Sequence, residues 1–260
     1  MGNRIYFFTG TGNSLKVTEE IAKKLPECEI IAINRGIETE IQGDFERIGF
    51  VFPVYYWGVP AMVADFLRKA NFPEQGSTYY FAVVTCGGIP GNAIPMTSSL
   101  LYDRGIHLSY NAGIKMFGNA ITHYNMSKNV EKITEKSNEK MVSIVNDIEN
   151  KKTKKAGSIN RFINCIYINR ITQINTTDIG FNVNSNCISC DICKNICPAK
   201  NITLEDNRPV FHHQCESCLA CIQHCPKQAI NYKDKTQKRR RYTHPQIGAE
   251  KLMQYYNKNH

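Results

Sequence analysis

The chain has 260 residues, 42% of them hydrophobic, and a formal charge of +9, so a globular protein with a buried core is the default. The longest apolar stretch, residues 50–67, is interrupted by Pro53, Pro60 and Asp65 and does not read as a membrane span; Met1 runs directly into a strand-like segment without the pattern of a secretory leader. Eight of the eleven cysteines crowd into 39 residues at metal-ligand spacing, which excludes a disulfide scaffold and points to reducing cytoplasm.

Short apolar runs alternate with helical patterns over residues 4–150, the mark of βαβ units on a parallel sheet. Strands are expected at Ile5 to Phe8, Glu29 to Ile33, Arg47 to Phe52, Tyr79 to Val84 and His107 to Lys115. Helices are expected at Asn13 to Leu25, at Pro60 to Ala70, which opens with proline, and at the charged amphipath Lys128 to Lys152. Five strands and about five helices give an α/β doubly wound sheet. The basic run Lys151, Lys152, Lys154, Lys155 and then Gly157 ends the last of these helices. The expected organisation is a first domain over 1–155, a connector over 156–180, a cysteine module over 181–235 and a basic tail over 236–260.

The first strand runs into Thr9, Gly10, Thr11, Gly12, Asn13 and Ser14 and then into a helix. Hydroxyls, glycines and a helix N-terminus offer an anion site. It is neither a Walker loop nor a G-x-G-x-x-G fingerprint, because Leu15 follows. The hydroxyl-rich form, with Thr9, Thr11, Gly12 and Ser14, resembles the FMN phosphate loop of flavodoxins. That resemblance spans about 150 residues and implies two further loops beside the flavin. One is Pro53, Val54, Tyr55, Tyr56, Trp57 and Gly58, with Trp57 or Tyr55 as the stacking ring. The other is Thr85, Cys86, Gly87 and Gly88, with Cys86 as a packing residue. Aromatics in one loop and glycines in the other suit a ring with flat apolar faces and a polar rim.

The cysteines form two runs, Cys187, Cys190, Cys193, Cys197 with Pro198, and Cys215, Cys218, Cys221, Cys225 with Pro226. Both read C-x2-C-x2-C-x3-C-P, and corresponding residues lie 28 apart, an offset that extends to Ile202 and Ile230. Three thiolates in one tight loop cap three irons of a cubane, while the fourth begins a helix pointing away and serves the neighbouring cluster. Two [4Fe-4S] clusters follow: one on Cys187, Cys190, Cys193 and Cys225, the other on Cys215, Cys218, Cys221 and Cys197. Structural zinc would leave the triplets and prolines unexplained. The runs resemble the two-cluster bacterial ferredoxins over about 55 residues. His212, His213 and His224 are read as surface or supporting groups, not ligands.

Taken together, the two modules resemble the flavodoxin and ferredoxin fusion proteins of anaerobic microbes. The resemblance implies an electron-transfer flavoprotein relaying electrons between FMN and the clusters, to or from a redox protein or small redox substrate. A second class is an FMN-dependent reductase of a quinone, NAD(P)H or a small organic substrate. A third is a redox-sensing or nucleic-acid-binding protein, prompted by Lys238, Arg239, Arg240, Arg241 and Tyr242. No helix-turn-helix pattern adjoins that run, which reads better as a solvated segment docking on the chain's own acidic half or an acidic partner. Residues 1–110 hold nine Lys/Arg against eleven Asp/Glu, and 111–260 hold 23 against 12. Part of this basic excess is expected to be internal compensation, since a thiolate-bound cluster and a flavin phosphate each carry about −2. His107 and His123, without sequence partners, are expected to pack or face solvent.

Overall fold

A computed structural model describes residues 1–73, 76–126 and 129–258. Lys128, the expected start of the long amphipath, and Asn259 and His260 of the expected tail lie outside the described residues. Five strands, β1 (Gly2–Phe7), β2 (Cys28–Ala32), β3 (Phe45–Pro53), β4 (Tyr79–Cys86) and β5 (Tyr110–Lys115), pair in parallel in the order β2-β1-β3-β4-β5. This is the flavodoxin-like doubly wound order, whose crevice lies beyond the carboxyl ends of the strands where the order reverses.

Side chains alternate across β1: Ile5 and Phe7 enter one apolar layer, Tyr6 and Phe8 the other. Helices α2 (Ala61–Lys69) and α3 (Ala93–Tyr102) cover the second layer through Val63, Phe66, Leu67, Ala93 and Leu101. Helices α1 (Asn13–Ala22) and α4 (Val130–Glu149) cover the first through Leu15, Val17, Ile21, Met141, Ile144 and Ile148. Both faces are thereby closed, as a parallel sheet requires.

The connector forms helix α5 (Arg161–Ile171) and a 3-10 helix over Ile174–Gly180. Tyr167 of α5 is buried; its ring lies over Gly58, and its hydroxyl donates to the Val59 carbonyl at 2.8 Å. The cysteine module has little regular structure: strand β6 (Phe181–Val183), helix α6 (Ile192–Asn195), strands β7 (Ile202–Glu205) and β8 (Arg208–Phe211), helix α7 (Ala220–Gln223) and strand β9 (Ile230–Tyr232), with β6 antiparallel to β9 and β7 to β8.

After β9 the chain returns to the sheet. Helix α8 (Ala249–Asn257) puts Leu252 and Tyr256 into the first apolar layer together with Ile247, and Lys251 pairs with Glu19 of α1 at 2.6 Å. Ile247 and α8, within the segment expected as a basic tail, are thus part of the sheet's cover. Among the described residues no helix is long and apolar enough to cross a membrane.

Candidate functional site

At the carboxyl ends of β1, β3 and β4 lies a cavity of about 540 Å³, within the size range of small-molecule sites. The three expected loops all reach it: Thr9, Gly10, Thr11, Asn13 and Ser14 from the first, Pro53, Val54, Tyr55, Tyr56 and Trp57 from the second, Thr85, Cys86, Gly87 and Gly88 from the third. Gly12 and Gly58 do not line it. Gly12, at φ 95°, lies under Ile247 and His244, and Gly58 lies under the Tyr167 ring.

The first loop suits an anion. Helix α1 has no side-chain cap and no acidic residue in its first turn, and its first bonded amide is Lys16, whose N–H reaches the Gly12 carbonyl at 2.9 Å. The amides of Asn13, Ser14 and Leu15 therefore lack intrahelical acceptors, and the helix dipole favours negative charge there. The side chains are largely committed to shaping the turn. Thr9 Oγ1 accepts from the Gly12 N–H at 3.1 Å, Ser14 Oγ bonds Thr85 Oγ1 at 2.9 Å, and Thr11 Oγ1 accepts from Asn119. Asn13 donates to the Phe117 carbonyl at 3.0 Å and accepts from the Tyr242 hydroxyl at 2.8 Å. Asn13 thus offers the cavity its backbone.

The second loop is a two-residue hairpin. Tyr55 and Gly58 exchange N–H···O bonds at 3.0 and 2.8 Å, with Tyr56 at φ 48° and Trp57 at φ 63°. Such turns favour Asn-Gly, and bulky residues there cost about 1–3 kcal/mol each. The Asn92 N–H holds the turn by donating to the Trp57 carbonyl at 2.7 Å. Tyr55 meets Phe8 edge-on at 6.0 Å, and burial drives its hydroxyl pKa well above the ordinary value. Trp57 is 45% exposed at the mouth. Burial also raises the pKa of the Cys86 thiol, which donates to the Gly88 carbonyl at 3.5 Å.

Two wall segments escaped the sequence reading. Phe117, Gly118, Asn119, Ala120, Thr122, His123 and Tyr124 follow β5, and Ser217, Cys218 and Leu219 come from the cysteine module. The first was legible in principle, because every strand of such a sheet delivers its following loop to the same edge. His123, expected to pack or face solvent, lines the cavity. Burial, Arg170, Lys235 and Arg239 lower its pKa. The second segment depends on docking, and one contact dominates it: a Cβ on Gly10 would meet the Cys218 carbonyl oxygen at 2.0 Å.

The eight cysteines line two further cavities. Cys187, Cys190, Cys193 and Cys225 surround one, with Ile188, Pro209 and Ile230; Cys197, Cys215, Cys218 and Cys221 surround the other, with Glu216 and Phe211. Backbone amides point at the sulfurs: Asn201 N–H to Cys197 at 3.4 Å, Ala229 N–H to Cys225 at 3.2 Å and Ser217 N–H to Cys215 at 3.2 Å. Among the described residues no three Cys, His, Asp or Glu side chains gather as the ligands of a single metal ion would. Burial pushes the Cys193 thiol up to about 11 and Cys215 up to about 12, and raises Cys197, Cys218 and Cys221. Four thiolates in such a place are stable only around a positively charged core.

The nearby histidines divide. His212 bonds Thr203 at 2.8 Å, and His213 bonds the buried Asp178 carboxylate at 2.9 Å while remaining largely exposed. Asp178 also accepts from Asn201 at 2.7 Å, and Asn201 carries the amide facing Cys197. His224 is buried, with its pKa lowered to about 4 by desolvation. The basic run is partly internal: Arg239 donates to the Ile121 carbonyl at 2.5 Å and Arg241 to the Ile230 carbonyl at 3.2 Å, whereas Lys238 and Arg240 are exposed.

No protein-family model matches the chain, and no curated protein matches it. Among solved structures it is similar to a Fusobacterium nucleatum flavodoxin bound to flavin mononucleotide, at 13% identity and TM-score 0.39, covering 58% of this chain and 99% of that one. A Streptococcus pneumonia flavodoxin matches at 14% identity and TM-score 0.36, over 55% and 99%. An FMN-dependent NADH-azoreductase from Bacillus anthracis matches at 7% identity and TM-score 0.39, over 57% and 100%. At scores this low the fold rests on the chain's own strand order.

Proposed function

We propose that the chain is an electron-transfer iron–sulfur flavoprotein that binds FMN in the 540 Å³ cavity and a [4Fe-4S] cluster in each four-cysteine cavity, serving a redox protein or a small redox substrate. The supporting observation is the double position of Cys218, which lines both the large cavity and the inner cysteine cavity. FMN supplies two-electron or one-electron chemistry and each cluster supplies one-electron chemistry, so the two kinds of partner can be matched on one chain.

The residues divide this work. The uncapped turn at Thr9 to Ser14 offers amides to a phosphate, and Tyr55, Trp57, Gly87 and Gly88 offer the walls and close backbone that a flat ring needs. Gly10, by lacking a side chain, lets the Cys218 backbone close the cavity floor. The inner set of cysteines then stands between this cavity and the outer set, and Cys190 of the outer set is exposed. That arrangement supports an order of flavin, inner cluster, outer cluster and external partner.

Anaerobic purification followed by assay of iron, acid-labile sulfide and acid-released flavin tests the reading, with electron paramagnetic resonance after reduction. FMN together with two reducible [4Fe-4S] signals is expected. Protein that neither contains nor rebinds FMN would remove the flavin half of the proposal, and zinc in place of iron the cluster half. A second reading, an FMN-dependent reductase, is favoured by the mouth of the cavity, where Trp57, Ile89 and Tyr124 are exposed and leave room for an organic molecule over the ring. Rapid anaerobic bleaching of the flavin by NADH or NADPH is its test.

A further inference from the structure

Arg241 belongs to the run Lys238 to Arg241 that reads in sequence as a surface patch, yet its guanidinium is internal. Nη2 donates to the Ile230 carbonyl at 3.2 Å and to Asn231 Oδ1 at 2.7 Å, which ties it to β9 behind the outer cysteine cavity that Ile230 lines. Nε and Nη1 are shut off from solvent and have no hydrogen-bond partner. Among the described residues no carboxylate lies within ion-pair distance of it. Burial lowers its pKa, and Cys225 and Cys221, one from each four-cysteine set, lie near enough to oppose that shift.

A half-buried cation with no carboxylate partner and two donors shut off from water and unpaired is costly. Arginine does not escape by losing its proton. Two buried polar side chains of the same region are matched within the protein: Asp178 is answered by Asn201 and His213, and the Asn201 carbonyl oxygen by the Gln214 N–H. What answers Arg241 must be anionic, must accept hydrogen bonds and must lie toward Cys225 and Cys221. A thiolate-bound iron–sulfur cluster, net negative and carrying acceptor sulfurs, has those properties.

We infer that Arg241 is the internal counter-cation of the cluster pair, holding its Nε and Nη1 donors toward the thiolate sulfurs and raising the clusters' reduction potential. The inference rests on the cluster half of the proposed function. Its sign is electrostatic: reduction adds a negative charge, and a fixed positive charge in a poorly screened position favours the reduced state. Arg240, one residue earlier and exposed, carries the same charge where water and salt screen it.

The test is a potentiometric titration of the anaerobically purified full chain, followed by electron paramagnetic resonance, for wild type, Arg241→Gln, Arg241→Lys and Arg240→Gln. In Arg241→Gln the reduced-to-oxidised ratio of at least one cluster at fixed potential should fall about tenfold, equivalent to about 59 mV for one electron. Arg241→Lys should fall by less, and Arg240→Gln should match wild type. Unchanged potentials in Arg241→Gln, or an equal shift in Arg240→Gln, would overturn the assignment. If Arg241→Gln keeps its flavin but takes up no cluster, Arg241→Lys decides: recovered clusters support a role of charge, and their continued absence overturns it in favour of packing. A wild type with no iron–sulfur signal would overturn the underlying reading and the assignment together, which sets that failure apart from the others.

Discussion

Ser189 and Ser217, 28 residues apart, have φ of 54° and 50°; Asp191 and Leu219 both have 61°, and Lys200 and Gln228 both have 48°. The two halves of the cysteine repeat are therefore bent alike, each turning backbone amides inward around four sulfurs. Their surroundings differ. The loop at Cys187 to Cys193 places Ile188 and Cys190 at the surface, whereas the loop at Cys215 to Cys221 is pressed between the sheet and the module, with Cys215 and Cys221 each 8% exposed. A short motif can fix the geometry of a ligand loop, but what that loop faces is decided by docking, and docking separates an inner site from an outer one.

On the proposed reading, removing one cysteine from each loop gives the largest expected effects and the most direct attempt to break this distinction. Cys218→Ser takes away one proposed inner ligand and disturbs the floor of the large cavity. It should cost one cluster and weaken flavin binding at least tenfold, about 1.4 kcal/mol. Cys190→Ser should cost the other cluster while leaving flavin affinity within about twofold, because nothing near Cys190 lines the large cavity. Iron content and flavin titration check both; equal loss of flavin affinity in the two variants would erase the difference between inner and outer sites.

Next in size is Gly10→Ala. The new methyl would lie 2.0 Å from a backbone oxygen of Cys218, so one of the two segments must shift, at a cost of about 3 kcal/mol. Chemical denaturation should show the loss, and an unchanged midpoint would mean that the contact is adaptable. In sequence Gly10 reads as part of a phosphate turn. In three dimensions it is equally the seat of the cysteine module.

That double use marks the limit of what the residues alone disclose. The sheet was legible because its strands are continuous apolar runs and its helices carry 3.6-residue stripes, as at Leu15 and Ile21 of α1. The three loops around the large cavity were legible because a doubly wound sheet delivers them to one edge. Residues 236–258 were not, since Lys238, Arg239 and Arg240 mask the sparse apolar positions Ile247, Leu252 and Tyr256, which pack on the sheet, and Tyr242, which packs on Phe117 and the cysteine module. Four contacts spread over fifteen residues give a weak periodic signal beside a strong charge signal. Tyr55 to Gly58 hid its hairpin for a different reason: Tyr56 and Trp57 occupy left-handed positions that composition assigns to Asn or Gly.

The returning segment sharpens the comparison, because it touches the sheet beside the inner loop. The Tyr256 hydroxyl donates to the Thr9 carbonyl and accepts from the Thr9 N–H at 3.3 Å. Tyr256→Phe keeps the ring in the apolar layer and leaves those backbone groups without their partner, for a loss of about 1–2 kcal/mol. Thermal unfolding should register it, together with a modest loss of flavin affinity at the turn Thr9 helps to form. No change in either would separate the segment from the cavity.

The smallest effect is one of pH. His244 is buried, and desolvation, with Lys16 contributing, lowers its pKa to about 4. Its Nδ1 accepts the Gln246 N–H at 3.2 Å, so the neutral ring carries its proton on Nε2, which is buried without a partner. The unfolded chain takes up a proton as pH falls through about 6.5, whereas the folded chain resists until about 4. The unfolded state thus binds more protons in that window. The contribution is fully present above pH 6.5 and is lost as pH falls toward 4. His244→Asn retains an acceptor for the Gln246 N–H and removes the titration. Its stability should track wild type near neutrality and fall less steeply between pH 6.5 and 4, by roughly 1–2 kcal/mol after allowance for screening. Urea unfolding at a series of pH values decides it: parallel profiles for the two proteins would mean that His244 gains a solvent path on protonation, and that the segment lies more loosely on the phosphate turn than the 2.8 Å bond from the His244 N–H to the Thr11 carbonyl implies.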